Sequence, residues 1–123
     1  MLTALKHTFP FTHEQAVQAL LDLPWDRQGL RHITDSGVVL LHNSLGAEIR
    51  NIWGLRDRTW PLNRYYRDTY GLGSADDMSQ LILQDFVARV RGNDKFKVEL
   101  EVAWLKKHWQ DQGVDPLTLQ RNA

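Results

Sequence analysis

A chain of 123 residues with 15 basic side chains, 15 acidic ones and no cysteine excludes a disulfide framework and thiolate chemistry. Formal neutrality removes any global field that would draw the protein to nucleic acid or an anionic membrane, so its partners are chosen by local patches. One domain is expected on length, with a core built from a 42% hydrophobic composition that includes five Trp, and no run approaches the ~18 apolar residues of a membrane span.

Residues 1–7 lack the long apolar core of a secretory signal, so the expected setting is a reducing cytoplasm. Thr12, followed by His13, Glu14 and Gln15, has the form of a capping box and predicts a helix start. Ala16, Val17, Ala19, Leu20, Leu21 and Leu23 give that helix an apolar face, and Pro24 ends it by disfavouring helical geometry at the preceding residue. A short second helix is expected over residues 25–32. Asp35 or Ser36 is placed to cap a third, in which Val38, Leu41, Leu45, Ile49 and Ile52 recur at steps of three or four and predict one buried stripe. Gly46 within it costs about 1 kcal/mol relative to Ala, which predicts a backbone or bulky ring close by. Gly54 is the expected left-handed stop.

Trp60-Pro61 opens a segment that should be helical over residues 62–70, because Pro is tolerated at the first helical position. Gly71 and Gly73 break it. Ser74 with Asp77 repeats the capping-box pattern, setting Asp76 and Asp77 in the positive first turn of the next helix. Leu81, Ile82, Phe86, Val87 and Val90 line its inner face, and Gly92-Asn93-Asp94 stops it. A last long helix over residues 97–112 carries Val98, Val102, Leu105 and Trp109 on one stripe, with Lys106, Lys107 and His108 near its negative end. Gly113 and Asp115-Pro116 end it, a turn over residues 116–120 is expected to pack back, and residues 121–123 to fray. The predicted fold is all-α: a compact bundle of five to six short helices, a single domain over residues 1–123, packed around the helix that contains Val38 and Ile52.

The polar residues of the middle third sit among apolar ones at helical spacing, where each needs a partner or loses about 1–3 kcal/mol by desolvation. His42 falls at the edge of the stripe. Arg50, just over two turns later, is expected to pair with Asp77, while Asn51 bonds backbone near Gly54 and Ser79 and Ser74 complete the cap of the next helix. On this reading His42, Arg50, Asn51, Asp76, Asp77 and Ser79 form a structural network. The same groups support a sharper reading, with His42 as general base, Arg50 as oxyanion or phosphate clamp and Asp77 as orienting group of a hydrolase or phosphodiester-cleaving enzyme. Ser79 sits in no nucleophile-elbow pattern and no Gly-rich phosphate loop precedes a helix. His32, His42, Asp76 and Asp77 have no recognised metal-ligand spacing, so neither a metal nor another cofactor is expected.

Between Arg50 and Tyr70 the chain places five Arg, two Trp and three Tyr against two Asp, a composition typical of interface hot spots. Arg56, Arg58, Trp60, Arg64, Tyr65 and Arg67 are the expected binding residues, with Trp53, Trp60 and Tyr66 as core on the alternative view. A protein partner is preferred to nucleic acid, because the charge is balanced and no helix-turn-helix signature is present. Trp104 and His108, four apart and off the main stripe of the last helix, are either a second exposed patch or homodimer contact, or a cover for the edge of the core.

These residues also carry a resemblance. Thr12-x-x-Gln15-Ala16-Val17, then Leu41-His42-x-x-Leu45-Gly46-x-x-Ile49-Arg50-Asn51-x-x-Gly54-Leu55, then Asp76-Asp77-x-Ser79-x-x-Ile82 are similar in order and spacing to a family of small bacterial domains of unknown function, over residues 11–92. The family's connector resembles Gly-Leu-Trp with a shorter loop, whereas here Leu55 is followed by Arg56-Asp57-Arg58-Thr59-Trp60. The resemblance implies a helical domain and supplies no reaction. The expectation is therefore a small non-enzymatic interaction or regulatory module in a bacterial or phage setting.

Overall fold

The computed structural model describes residues 2–93 and 96–122. They form a 3-10 turn, Leu2–His7, and six α-helices: α1 His13–Leu21, α2 Arg27–Arg31, α3 Asp35–Ile52, α4 Pro61–Tyr70, α5 Ala75–Val90 and α6 Val98–Asp111. One isolated bridge, Val114 with Arg121, is the β pairing found among the described residues. The fold is all-α, as the periodicities predict.

Local chemistry explains where the helices start and stop. Thr12 Oγ1 accepts from the Gln15 backbone N–H at 3.2 Å, and the Gln15 side chain accepts from the Phe11 N–H at 2.8 Å, one residue earlier than a reciprocal capping box would have it. Thr34, not Asp35 or Ser36, caps α3 by accepting from Gly37 N–H at 3.1 Å. Asp26 caps the short α2, and Ser74 caps α5 by accepting from Asp77 N–H. Pro61 occupies the first turn of α4, and Gly71, at φ 68°, ends it in the left-handed conformation that glycine adopts without a Cβ penalty.

The bundle is centred on α5 rather than α3, and α1, α2, α3, α4 and α6 all pack against it. Eleven of the sixteen residues of α5 are buried, with apolar residues on several sides of the helix and the buried polar ones, Asp77, Ser79 and Asp85, each hydrogen-bonded to a neighbouring helix. On α3 the stripe is narrower than expected, since Leu45 and Ile49 are buried while Val38, Leu41 and Ile52 only flank the core. Trp53, Tyr66 and Phe86 are the bulkiest wholly buried side chains. On α6, Val102 and Leu105 are buried, with Val98 and Trp109 half-covered.

After Gly113 the chain turns back. Gly73 N–H donates to Pro116 O at 2.9 Å, and a Cβ on Gly73 would lie 1.9 Å from the Leu117 carbonyl oxygen, so only glycine admits the returning strand at this distance. Arg121 is held by its bridge to Val114, and Asn122 N–H donates to Gly113 O at 2.8 Å. The expected fraying therefore does not occur at these two residues, whose backbone groups have partners. Ala123, and Asp94 of the expected stop after α5, lie outside the described residues.

Candidate functional site

The polar residues of α3 and α5 meet where the two helices cross. Arg50, only 9% exposed, donates from Nη1 to Ser79 Oγ at 2.8 Å, and that hydroxyl donates to Asp76 O at 3.0 Å. Arg50 Nε lies 3.4 Å from Asp76 Oδ1. The expected pair of Arg50 with Asp77 is not made. Successive helical residues point about 100° apart, so Asp76 faces α3 while Asp77 turns to α6 and accepts from the Trp109 indole N–H at 2.7 Å. Gly46 makes room for the arrangement: a Cβ there would stand 3.0 Å from Arg50 Nη1, so a guanidinium, not a backbone or ring, is what approaches. Asn51 accepts from Arg56 Nη1 at 3.2 Å instead of bonding backbone. His42 is half-buried, and burial, then the Arg50 charge, holds its imidazole below its ordinary value against the opposing pull of Asp76.

Burial pushes the Asp77 carboxyl above its ordinary 3.8, against the Trp109 hydrogen bond that lowers it. An acid whose native value is raised binds its proton more tightly folded than unfolded, so its contribution to stability falls as pH climbs from about 3.8 through the raised value. Asp77→Ala leaves the Trp109 N–H without an acceptor and is expected to cost about 1–3 kcal/mol in urea unfolding at neutral pH. Asp77→Asn keeps an acceptor oxygen and should cost less, its stability relative to wild type improving as pH rises through that window. An Asn variant as damaged as the Ala variant at neutral pH contradicts this account.

A second network, absent from the sequence reading, links α1, α4 and α5. His13, 4% exposed, has Nδ1 2.6 Å from the Tyr66 hydroxyl and Nε2 2.8 Å from Asp85 Oδ2. Arg89 donates to Asp85 from Nε at 3.0 Å and Nη2 at 3.3 Å, and to both Glu14 oxygens at 2.6 Å each. Burial alone would raise the Asp85 carboxyl, but hydrogen bonds and charges from His13 and Arg89 carry it below its ordinary value. Burial keeps Tyr66 a neutral phenol. With an anionic Asp85 accepting from Nε2–H, the Tyr66 hydroxyl is the natural donor to Nδ1. The signal was present: His13 lies three and four residues before the buried Ala16 and Val17, and Asp85 stands beside Phe86 on the inner helix. The cap at Thr12 accounts for residues 12–15 by themselves and gives no local sign of that longer-range pairing.

The predicted binding residues divide among three hollows. Arg56, Arg58 and Arg67 line one of about 420 Å³ beneath the returning tail. Tyr65 lines a second, of about 430 Å³, with His13, Asp85 and Arg89. Trp60 lines a third, of about 520 Å³, with Phe9, Pro10, Phe11, Trp53 and Pro61. Arg64 is exposed on α4. The third hollow is the most apolar of the three, with Phe9 and Phe11 58% and 57% exposed at its edge and the Phe9 and Trp60 rings 6.3 Å apart. Phe9 and Phe11 precede the first cap and escaped the sequence reading because they belong to no periodic pattern. On α6, Trp104 is exposed with its ring stacked on His108 at 5.7 Å, so this pair does not cover the core.

The molecule is thus a helical domain with aromatic and charged residues on its surface. Among the described residues no group of three or more His, Asp or Glu could hold a metal ion, and no helix is long and apolar enough to cross a membrane. No curated protein and no solved structure matches the chain. The model of one family, described as "Domain of unknown function (DUF6794)", matches residues 9–90, a span that includes the aromatic groove, the crossing of α3 with α5 and the buried histidine network. The chain belongs to that family.

Proposed function

We propose that this domain is a non-enzymatic interaction module that binds a protein partner, and that the partner inserts an apolar segment into the groove between Phe9, Phe11, Trp60 and Pro61. The observation that carries the reading is a pair of largely exposed Phe rings beside a half-buried Trp, flanking a hollow large enough for two or three side chains. Exposed aromatics clustered around a concavity, with arginines close by, are the composition of a binding hot spot. The catalytic alternative is disfavoured because Asp77 turns to α6, away from Arg50, so the three groups invoked for it do not converge.

A random-peptide display selection on the folded domain tests the proposal. Selected peptides should share aromatic or proline residues and should lose at least about tenfold in affinity for a Phe9→Ala, Phe11→Ala double variant. Both side chains are exposed, so the variant is expected to keep the helical circular-dichroism spectrum of wild type. Peptides that bind the variant as tightly as wild type would refute the assignment.

A further inference from the structure

We propose that the hollow lined by Arg56, Arg58 and Arg67 is an oxyanion receptor that takes the phosphate or carboxylate of an acidic side chain on the same partner segment. This deepens the groove reading and rests on it for the placement of a peptide. Three arginines and no acidic residue line the hollow, and among the described residues none of the three arginines has an acidic partner. Of the other arginines, Arg50 and Arg89 face carboxylates, while Arg27, Arg31 and Arg91 each donate to a backbone carbonyl; what distinguishes Arg56, Arg58 and Arg67 is that all three line one hollow. Clustered like charges repel, and their contribution becomes favourable when an anion arrives.

The hollow is also built, not merely charged. Asn63, 2% exposed, donates from Nδ2 to Leu55 O at 2.7 Å and accepts from Arg67 Nε at 2.7 Å. Arg67 Nη2 donates to Arg58 O at 2.6 Å. Two bonds therefore fix the plane of the Arg67 guanidinium before any ligand binds, leaving its remaining N–H groups to donate, and this preorganisation lowers the cost of binding. Arg56 is steadied in the same way by Asn51. The Leu117 to Gln120 tail forms another wall of the same hollow, with Thr118 among its lining residues.

The connector joins the two sites. Arg58 lines the oxyanion hollow and Trp60 the aromatic groove, and two residues span at most about 7 Å between Cα atoms. The proposed partner segment would span both in an extended conformation, with an acidic side chain a few residues from an apolar one. A single half-open hollow suits one anionic group better than the continuous basic track that nucleic acid requires.

The test needs no partner, so it fails or succeeds independently of the groove reading. In the ¹⁵N-labelled full chain, chloride is replaced by inorganic phosphate, and separately by acetate, at constant ionic strength. Saturable shifts at the Nε–H signals of Arg56, Arg58 and Arg67 and at the Thr118 amide, with exposed Arg64 unmoved, support the proposal. Tighter binding of phosphate indicates a phosphorylated side chain, and equal binding of acetate indicates Asp or Glu. Arg67→Lys keeps the charge but loses the planar fork, and is expected to weaken phosphate about tenfold. Arg58→Ala provides the same loss without disturbing the Asn63 chain, because the bond that Arg58 contributes there is through its backbone carbonyl. Shifts that never saturate and involve Arg64 equally, or either variant titrating like wild type, overturn the proposal. So does an oligothymidylate without a terminal phosphate that moves the same signals at lower concentration than inorganic phosphate.

Discussion

Asp85→Ala is expected to lower the unfolding free energy by about 3–5 kcal/mol, the range for removing one partner from a buried ion pair. The carboxylate is the hub of its network: it accepts from His13 Nε2 and from Arg89 Nε and Nη2, with its side chain 10% exposed. Without it the His13 Nε2–H, on a side chain only 4% exposed, loses its protein acceptor, and Arg89 keeps only Glu14. Glu14→Ala removes a pair with the same Arg89, at a carboxylate 66% exposed, and should cost no more than about 1 kcal/mol because water already competes for that charge. Urea unfolding of the two variants separates the cases, with a fall in midpoint and little change in slope. The pH dependence has a definite sign. Asp85 titrates below its ordinary 3.8 in the native state, so its contribution is complete above that value and is lost as pH falls through the lowered native value. The gap between wild type and Asp85→Ala should therefore be widest near neutrality and close in acid. Equal losses for Asp85→Ala and Glu14→Ala would mean that the buried half of the network adds nothing.

The parts of this fold that were legible in the sequence are those set by local chemistry. Thr12, Ser74, Pro61, Gly54 and Gly71 each act within a few residues of themselves, so their roles as caps and stops follow from residue type and spacing. The centre of the bundle was not legible in the same way. The stripe on α3 is regular, and regularity drew attention to it, but regularity marks a helix with one face in water; α5, with its polar residues scattered and internally bonded, is the one surrounded. The candidate site was legible by composition and not by geometry. Arginine and aromatic enrichment identified residues 50–70, yet whether Arg56 and Tyr65 share a surface depends on where α1, α5 and the tail come to rest, and no pattern within the connector encodes that. Asp76 and Asp77 illustrate the limit. Sequence spacing pairs Arg50 with Asp77, and the 100° step between the two carboxylates instead sends Asp76 to α3 and Asp77 to α6.

Gly54→Ala is expected to destabilise the protein by about 2–5 kcal/mol and to damage the groove at the same time. Gly54 adopts φ +63°, where an L side chain costs about 1–2 kcal/mol, and a Cβ there would lie 2.2 Å from Trp60 Cδ2 and 2.4 Å from Cγ. Those are atoms of a large ring held at its own backbone, so the ring as a whole must move, an overpacking cost of about 1–3 kcal/mol. Trp60 is also the residue that faces Phe9 across the groove, which couples a backbone turn at the end of α3 to the proposed binding surface. The two contributions are separable. Trp60→Ala removes the obstruction, so in the double variant Gly54→Ala should cost only the backbone strain of about 1–2 kcal/mol. A double-mutant cycle in urea should then show the pair to be non-additive by the overpacking cost. Gly54→Ala should also weaken groove-selected peptides, through displacement of Trp60. Additive losses, or unchanged peptide affinity in the single variant, would show that the ring does not rest on the glycine and that the groove is independent of the turn beneath it.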